Sequence, residues 1–291
     1  MTILQDANRK QIGSRRKVDM TLHILFLIAT SIGIIALMAL LIQIMMDGLS
    51  RLNLDLFSNY PSRMAAKAGM KSAIVGSIYM VLIMAPISFI LGVGAAIYLE
   101  EYAKKSAFTR LIQLNISTLA GVPSIVYGIL GLTIFVRGLA LERSLLSGAL
   151  TMTLLVLPII IVSAQEAIRA VPKARRDASF ALGATKWQTV SRSVLPSAIS
   201  SILTGVILAL SRAIGETAPL VMIGALTFVA FLPESIMDQF TVMPIQIFNW
   251  VSRPQLAFHE LAAAGIIVLL ALLIIMNISA VLLRNKYQKN V

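Results

Sequence analysis

Six long apolar runs, at 22–46, 72–99, 111–136, 145–165, 197–232 and 261–283, alternate with short polar segments along the 291-residue chain. A hydrocarbon core of about 30 Å needs about 20 helical residues, so each run predicts a membrane-crossing helix. The alternating segments of about ten residues that mark a transmembrane barrel are absent. The fold class is therefore all-α, a polytopic membrane protein with six transmembrane helices. The fifth run is too long for one straight crossing and must tilt, break or turn back. Pro86, Pro123 and Pro158 lie well inside the second, third and fourth runs. Each removes a backbone donor and crowds the carbonyl four residues earlier, which predicts kinks. Gly121, Gly128 and Gly131 flank Pro123 and permit close helix approach.

Composition agrees with the pattern, at 58% apolar and 13% charged residues. The charge distribution adds an orientation. Of 25 Lys and Arg residues, 17 fall in the amino-terminal tail, around Lys104 and Lys105, in 169–192 and in the carboxy-terminal tail. Seven lie in the other three loops and one, Arg212, inside a run. By the excess of basic residues on cytoplasmic loops, both termini are cytoplasmic. The chain then divides into a basic cytoplasmic tail (1–20), a first transmembrane helix with an external loop (21–71), a core (72–284) with a cytoplasmic loop at 166–196, and a second tail (285–291). Residues 1–20 have no apolar run and predict a disordered tail, and the first run is too long for a signal-peptide core. The basic residues are scattered over short loops, which argues against nucleic-acid binding despite the net charge of +12.

Little in the chain supports catalysis. It has no cysteine, so disulfides, thiolate metal sites and cysteine nucleophiles are excluded. His23 and His259 lie near the ends of runs, where an interfacial imidazole is ordinary, and His259-Glu260 is followed by Leu-Ala-Ala, which leaves the two-histidine zinc motif incomplete. No Gly-rich lysine loop for nucleotide phosphates occurs. The expectation is a chain with no cofactor of its own, and a membrane-embedded enzyme lacks any Ser-His, Cys-His or metal constellation.

Two polar features stand out against the apolar background. The first is Leu210-Ser-Arg-Ala-Ile-Gly-Glu-Thr-Ala-Pro-Leu220, inside the fifth run. Arg212 and Glu216 each cost about 2.5–3.5 kcal/mol at apolar depth, so they need partners or water and mark a pathway by default. They lie four residues apart, on one helical face. Pro219 crowds the carbonyl of Gly215, which predicts a break between the two. Arg212 would offer a fixed guanidinium to a tetrahedral oxyanion, two donors meeting two oxygens. An ionised Glu216 would repel that anion unless it pairs with Arg212. Arg212, Glu216 and Thr217 are the candidate path residues. A purely structural ion pair and a proton or ion relay in a stand-alone secondary transporter are the alternatives; an inverted repeat would favour the relay, and none is visible.

The second feature is the polar interval 176–196. Pro172 suits a first helical position, and the Ala-rich segment from Lys173 predicts a helix stopped by Gly183. Thr185 and Gln188 fit a capping box that starts a second helix, with Trp187, Val190 and Val194 on one face and Pro196 closing it. An amphipathic loop lying on lipid headgroups is the plain interpretation.

The spacing of this interval resembles the EAA loop of bacterial ABC importer permeases: Glu-Ala-Ala, three residues, Gly, nine residues, Ile, one residue, Leu-Pro. The matching positions are Asp177, Ala178, Ser179, Gly183, Ser193, Leu195 and Pro196, with Asp for Glu, Ser for the second Ala and Ser for Ile. Gly121-Val-Pro-Ser-Ile-Val-Tyr-Gly-Ile-Leu-Gly-Leu132 and Ile97-Tyr-Leu-Glu-Glu-Tyr-Ala103 resemble signatures of phosphate importer permeases. Arg212-Ala-Ile-Gly-Glu-Thr-Ala-Pro-Leu220, followed by Met243-Pro-Ile-Gln-Ile-Phe-Asn-Trp250, is similar to the PstA-type permease subunits of phosphate ABC importers. The resemblance implies a type I ABC importer permease fold in the bacterial cytoplasmic (inner) membrane. It further implies a homologous sister permease, two copies of a cytoplasmic ATPase that hold ATP and Mg, and an extracytoplasmic phosphate-binding protein. The 166–196 loop would couple to the ATPase through Asp177, Ala178, Ser179, Gly183, Leu195 and Pro196. Sulfate or molybdate is the alternative cargo.

Overall fold

The computed structural model describes residues 2–225 and 228–288. Met1, residues 226 and 227, and residues 289–291 of the expected carboxy-terminal tail lie outside the described residues. Among those described, no strand occurs, and one isolated antiparallel bridge joins Ser144 to Gln239.

Helix α1 spans Thr2–Gly48, and a short helix α2, Leu54–Ser58, follows it. Helix α3 (Lys71–Ile97) continues into a π-helical turn at Tyr98–Tyr102. Helices α4 (Ala107–Leu119) and α5 (Ser124–Gly131) come next, the latter extended by a π-helical turn at Leu132–Gly138. After α6 (Leu145–Arg169) come two short helices, α7 (Lys173–Ala181) and α8 (Lys186–Thr189). Helices α9 (Leu195–Ile214), α10 (Ala218–Ile223), α11 (Met243–Val251) and α12 (Leu256–Gln288) complete the chain.

Five helical segments are long and apolar enough to cross a membrane. Contacts at their ends supply the sixth crossing. Glu100, just past α3, pairs with Arg169 at the end of α6, so α3 and α6 finish at the same face and run parallel. The chain between them must recross, and α4 with α5, bent by 107°, does so. Helix α12 runs antiparallel to α9, with Ser211 bonded to Asn277 and Arg284 to Thr204. It runs antiparallel to α1 as well, with Arg51 paired to Glu260 at 2.8 Å. The start of α1 and the end of α12 therefore share the face that carries α7 and α8.

The prolines divide according to what surrounds them. Helices α3 and α6 run on without a break through Pro86 and Pro158. At Pro123 the expected kink is instead a full break. Gly121 and Val122 turn back onto Thr118 and Leu119, and Pro123 takes an extended ψ of 135° before α5 begins. A residue before proline disfavours the helical region, so the helix has to end there. Tyr127 then donates its hydroxyl to the carbonyl of Leu119 at 2.8 Å, a second donor on the acceptor that an amide at position 123 would have bonded in a continuous helix.

Three further expectations change. Pro196 does not close the second short helix. The chain from α8 passes through a π-helical turn at Val190–Val194 straight into α9, with the Leu195 amide bonded to the carbonyl of Val190. The wider turn accommodates the donor that proline lacks. The basic amino-terminal segment is helical from Thr2, since extending an existing helix costs far less than nucleating one. The fifth apolar run holds only α9 and α10. Beyond Gly224, at φ 79°, the described chain leaves the helix and folds over the starts of α3 and α6, with Ser72 bonded to the Val229 carbonyl and Leu145 to that of Asp238.

The main core lies between α3, α6, α9 and α10, where Met84, Met152, Ile160, Ile202 and Leu220 are fully buried. A second cluster, Leu56, Met70, Met243, Trp250 and Phe258, closes the opposite end from α7. Close approach decides which elements meet. A Cβ at Gly128 would lie 2.7 Å from the Cα and carbonyl oxygen of Pro219, and one at Gly131 would overlap Thr151.

Gly128→Ala is expected to destabilise the protein by about 1–3 kcal/mol, because backbone rather than a movable side chain stands in the way. Gly94→Ala, with nothing within 4 Å, should leave stability unchanged. Thermal unfolding of the two purified variants compares them directly, and equal melting temperatures would refute the α5–α10 packing.

Candidate functional site

The break between α9 and α10 holds the first candidate site. Helix α9 ends as the Gly215 and Glu216 amides bond to the carbonyls of Arg212 and Ala213. Pro219 falls in the first turn of α10, where a missing amide hydrogen is tolerated. The break brings Glu216 toward Arg212, with Oε1 3.6 Å from Nε. That is charge attraction across more than a hydrogen-bond length, so the guanidinium keeps its donors uncommitted among the described residues. The Arg212 side chain is 63% exposed and that of Glu216 21%. Leu208, one turn before Arg212, is exposed too, while Ala209 and Ala213 face the core. Helix α9 thus presents Leu208 and Arg212 on a side that this chain leaves uncovered. Thr217 is half-buried, and its hydroxyl has no partner among the described residues.

Residues 166–196 form the second candidate site. Helix α7 ends at Leu182, and Gly183 turns the chain at φ 80°. Nothing lies within 4 Å of a Cβ built at Gly183, so conformation and not space calls for glycine there. The capping box is present: Thr185 accepts from the Gln188 amide, and Gln188 Oε1 accepts from the Thr185 amide at 2.8 Å. Ser179 and Thr189 hydroxyls, 2.9 Å apart, tie α7 to α8. Asp177 and Ala178 are exposed, and Leu195 and Pro196 are half-buried at the root of α9. Phe180, Leu182 and Trp187 project into solvent from this helix pair, forming an apolar surface beside Asp177.

Residues that sequence reasoning passed over hold this surface in place. Arg176 bonds Glu101 Oε1 through Nε (3.1 Å) and Nη2 (2.8 Å), and the carbonyls of Val171 (2.7 Å) and Ile168 (2.9 Å) through Nη1 and Nη2. The ion pair is mostly buried, with 19% and 12% exposure. Arg169 joins Glu100 to Glu166, and the Lys186 ammonium lies 5.1 Å from the centre of the Tyr102 ring. Glu100, Glu101 and Tyr102 all belong to the π-helical turn after α3. The separation of 75 positions between Glu101 and Arg176 hides the pairing in one dimension, although two carboxylates closing an apolar run were a visible signal.

The two sites stay apart. Helix α9, 20 residues long, separates Leu195 from Ile214 by about 30 Å, so Arg212 and the helix pair lie near opposite ends of that rod.

Comparison with known proteins bears on the whole arrangement. Residues 88–289 match the family described as binding-protein-dependent transport system inner membrane component. A probable ABC transporter permease protein, YqgI of Bacillus subtilis (strain 168), is 38% identical over 191 residues, which cover 66% of this chain and 65% of that protein. The phosphate transport system permease protein PstA of Yersinia pestis is 31% identical over 280 residues, 96% of this chain and 94% of that one. Among solved structures, a chain of the inward-facing MetNI methionine ABC transporter aligns with a TM-score of 0.61 at 14% identity, over 74% of this chain and 94% of that one. That likeness concerns the fold alone. A match over more than half the chain, together with a relative aligned along nearly its full length, establishes that this protein belongs to the binding-protein-dependent transport system inner membrane components, as a multi-pass permease subunit of an ABC importer.

Proposed function

We propose that the chain is the membrane-spanning permease of an ATP-driven inorganic phosphate importer, and that Arg212 contacts the anion as it crosses. The observation that carries this reading is the Arg212 guanidinium, held at a helix break, turned away from its own core and only loosely engaged by Glu216. Its planar donors suit two oxygens of a tetrahedral anion. Glu216 restrains the cation in the resting state, and Thr217 adds a hydroxyl beside it. The name of the full-length Yersinia pestis relative supports phosphate as cargo. Membership in an importer family removes the need for a stand-alone secondary transporter.

The other partners follow from the exposed surfaces. A homologous sister permease covers the Leu208 and Arg212 side of α9, so that the path runs between two subunits. The face bearing α7 and α8 is cytoplasmic, in keeping with its excess of Lys and Arg. Two ATPase copies that hold ATP and Mg dock there, one of them on Phe180, Leu182 and Trp187 beside Asp177, Ala178 and Ser179. A phosphate-binding protein approaches from the opposite face, which α2 and α11 cap. ATPase closure moves α7, and two routes carry the motion inward. The Arg176 clamp passes it to α3 and α6, and the unbroken passage from α8 through Leu195 and Pro196 passes it along α9 to Arg212.

Uptake of labelled phosphate in cells lacking the chain, and in the same cells with it restored, tests the cargo. Restored uptake should need ATP and ignore unlabelled sulfate and molybdate; competition by either anion would reassign the substrate. Arg212→Gln should lower uptake at least about tenfold, the loss expected on removing a charged hydrogen-bond donor, while the protein stays in the membrane. Uptake at the normal rate by this variant would end the path role of Arg212.

Gly183→Val should uncouple the two sites. A β-branched residue in the left-handed region costs roughly 1–2 kcal/mol or more, and the cheapest escape is to rotate α7 away from α8. Phosphate-dependent ATP hydrolysis of the assembled complex should fall, with membrane insertion retained. Unaltered hydrolysis and transport would refute the coupling role of the bend.

A further inference from the structure

A cavity of about 610 Å³ opens between the π-helical turn after α3, the start of α4, the end of α6 and the start of α7. Six cationic side chains line it against two carboxylates. The carboxylates are engaged, Glu100 with Arg169 and Glu101 with Arg176. Lys104, Lys105, Arg110 and Lys173 remain without an ion-pair partner among the described residues. Like charges gathered around a concavity repel one another unless an anion sits among them, and their summed field draws anions to it. The volume lies within the range of about 300–1,000 Å³ typical of small-molecule sites.

We propose that this cavity binds a phosphate-bearing anion, contacted by Lys104, Lys105, Arg110 and Lys173. The site is separate from Arg212, which lies at the far end of α9. Its position rests on the orientation proposed above, which puts it at the inner surface of the membrane. Two sources of a phosphate group exist there: the headgroup of an acidic phospholipid and free inorganic phosphate. The structure favours the lipid. Helix α4 carries Arg110 into the cavity and leaves Phe108, Leu111 and Leu114 more than half exposed, where acyl chains would lie against them. Basic pockets at the inner ends of transmembrane helices suit such headgroups. An occupant would neutralise the wall on which the Arg176 clamp rests, so the docking surface for the ATPase would be firmest in a membrane rich in acidic lipid.

The test uses the full complex with its sister permease and ATPase, comparing the wild type with a Lys104→Gln, Lys105→Gln, Arg110→Gln variant. Both are placed in nanodiscs of phosphatidylcholine with a minor share of phosphatidylglycerol, and phosphatidylglycerol retained after extraction is counted by native mass spectrometry. Labelled inorganic phosphate binding is measured separately in lipid-free detergent, in an Arg212→Gln background that silences the transmembrane site. Each cation lost should weaken binding several-fold, so the triple variant should lose at least about tenfold in occupancy. Loss of phosphatidylglycerol alone identifies the lipid, and loss of phosphate binding alone identifies the free anion. Equal occupancy of both ligands in the variant and the wild type would overturn the proposal. A variant that keeps both ligands but no longer holds the ATPase would overturn it in favour of an acidic protein surface.

Discussion

In the hydrocarbon interior a helix can break only where protein takes over from lipid as the neighbour of the freed backbone, and this chain breaks two of its crossings. The breaks are placed so that each serves the other. Helix α5 begins just after the first, α10 just after the second, and the two pack so closely that Gly128 has no room for a side chain beside Pro219. Tyr127, next to that glycine, reaches back to the Leu119 carbonyl and completes the first break. Without this contact the α9–α10 interruption would face lipid with unpaired groups, and Arg212 would lose the frame that fixes its position.

The opposite end of the bundle solves a different problem. Helices α7 and α8 are short and bury little area of their own, so their position has to be fixed by contacts with the bundle. Charge-assisted bonds from Arg176 to Glu101 and to two carbonyls at the end of α6 supply the anchor, and they are mostly shielded from water, which preserves their strength. Arg169 and Lys186 extend the same connection to Glu100 and Tyr102. A displacement of α7 therefore reaches α3 and α6 directly, while α8 leads into α9 with no hinge at Pro196.

A division of labour among the helices follows. α3, α6, α9 and α10 form the packed centre, and α1 lies outside it, its most apolar window unburied and its contacts made along α12. Helix α1 therefore lies apart from the surroundings of Arg212, which α9 and α10 supply.

Much of this was determined by sequence alone, because lipid imposes a simple rule: apolar runs long enough to cross must be helices. The six crossings, the break after Gly215, the turn at Gly183 and the Thr185–Gln188 cap depend on neighbours within a few residues, and local steric and hydrogen-bonding rules decide them. Tertiary structure alone decided the rest. Of Pro86, Pro123 and Pro158, all set well inside apolar runs, only Pro123 ends a helix, beside Gly121 and with the Tyr127 hydroxyl donating to the Leu119 carbonyl. The Arg176–Glu101 clamp, the exposure of Arg212 and the basic cavity join residues far apart along the chain. Such pairings are set by how whole helices pack, and the spacing of residues within any one segment carries no record of them.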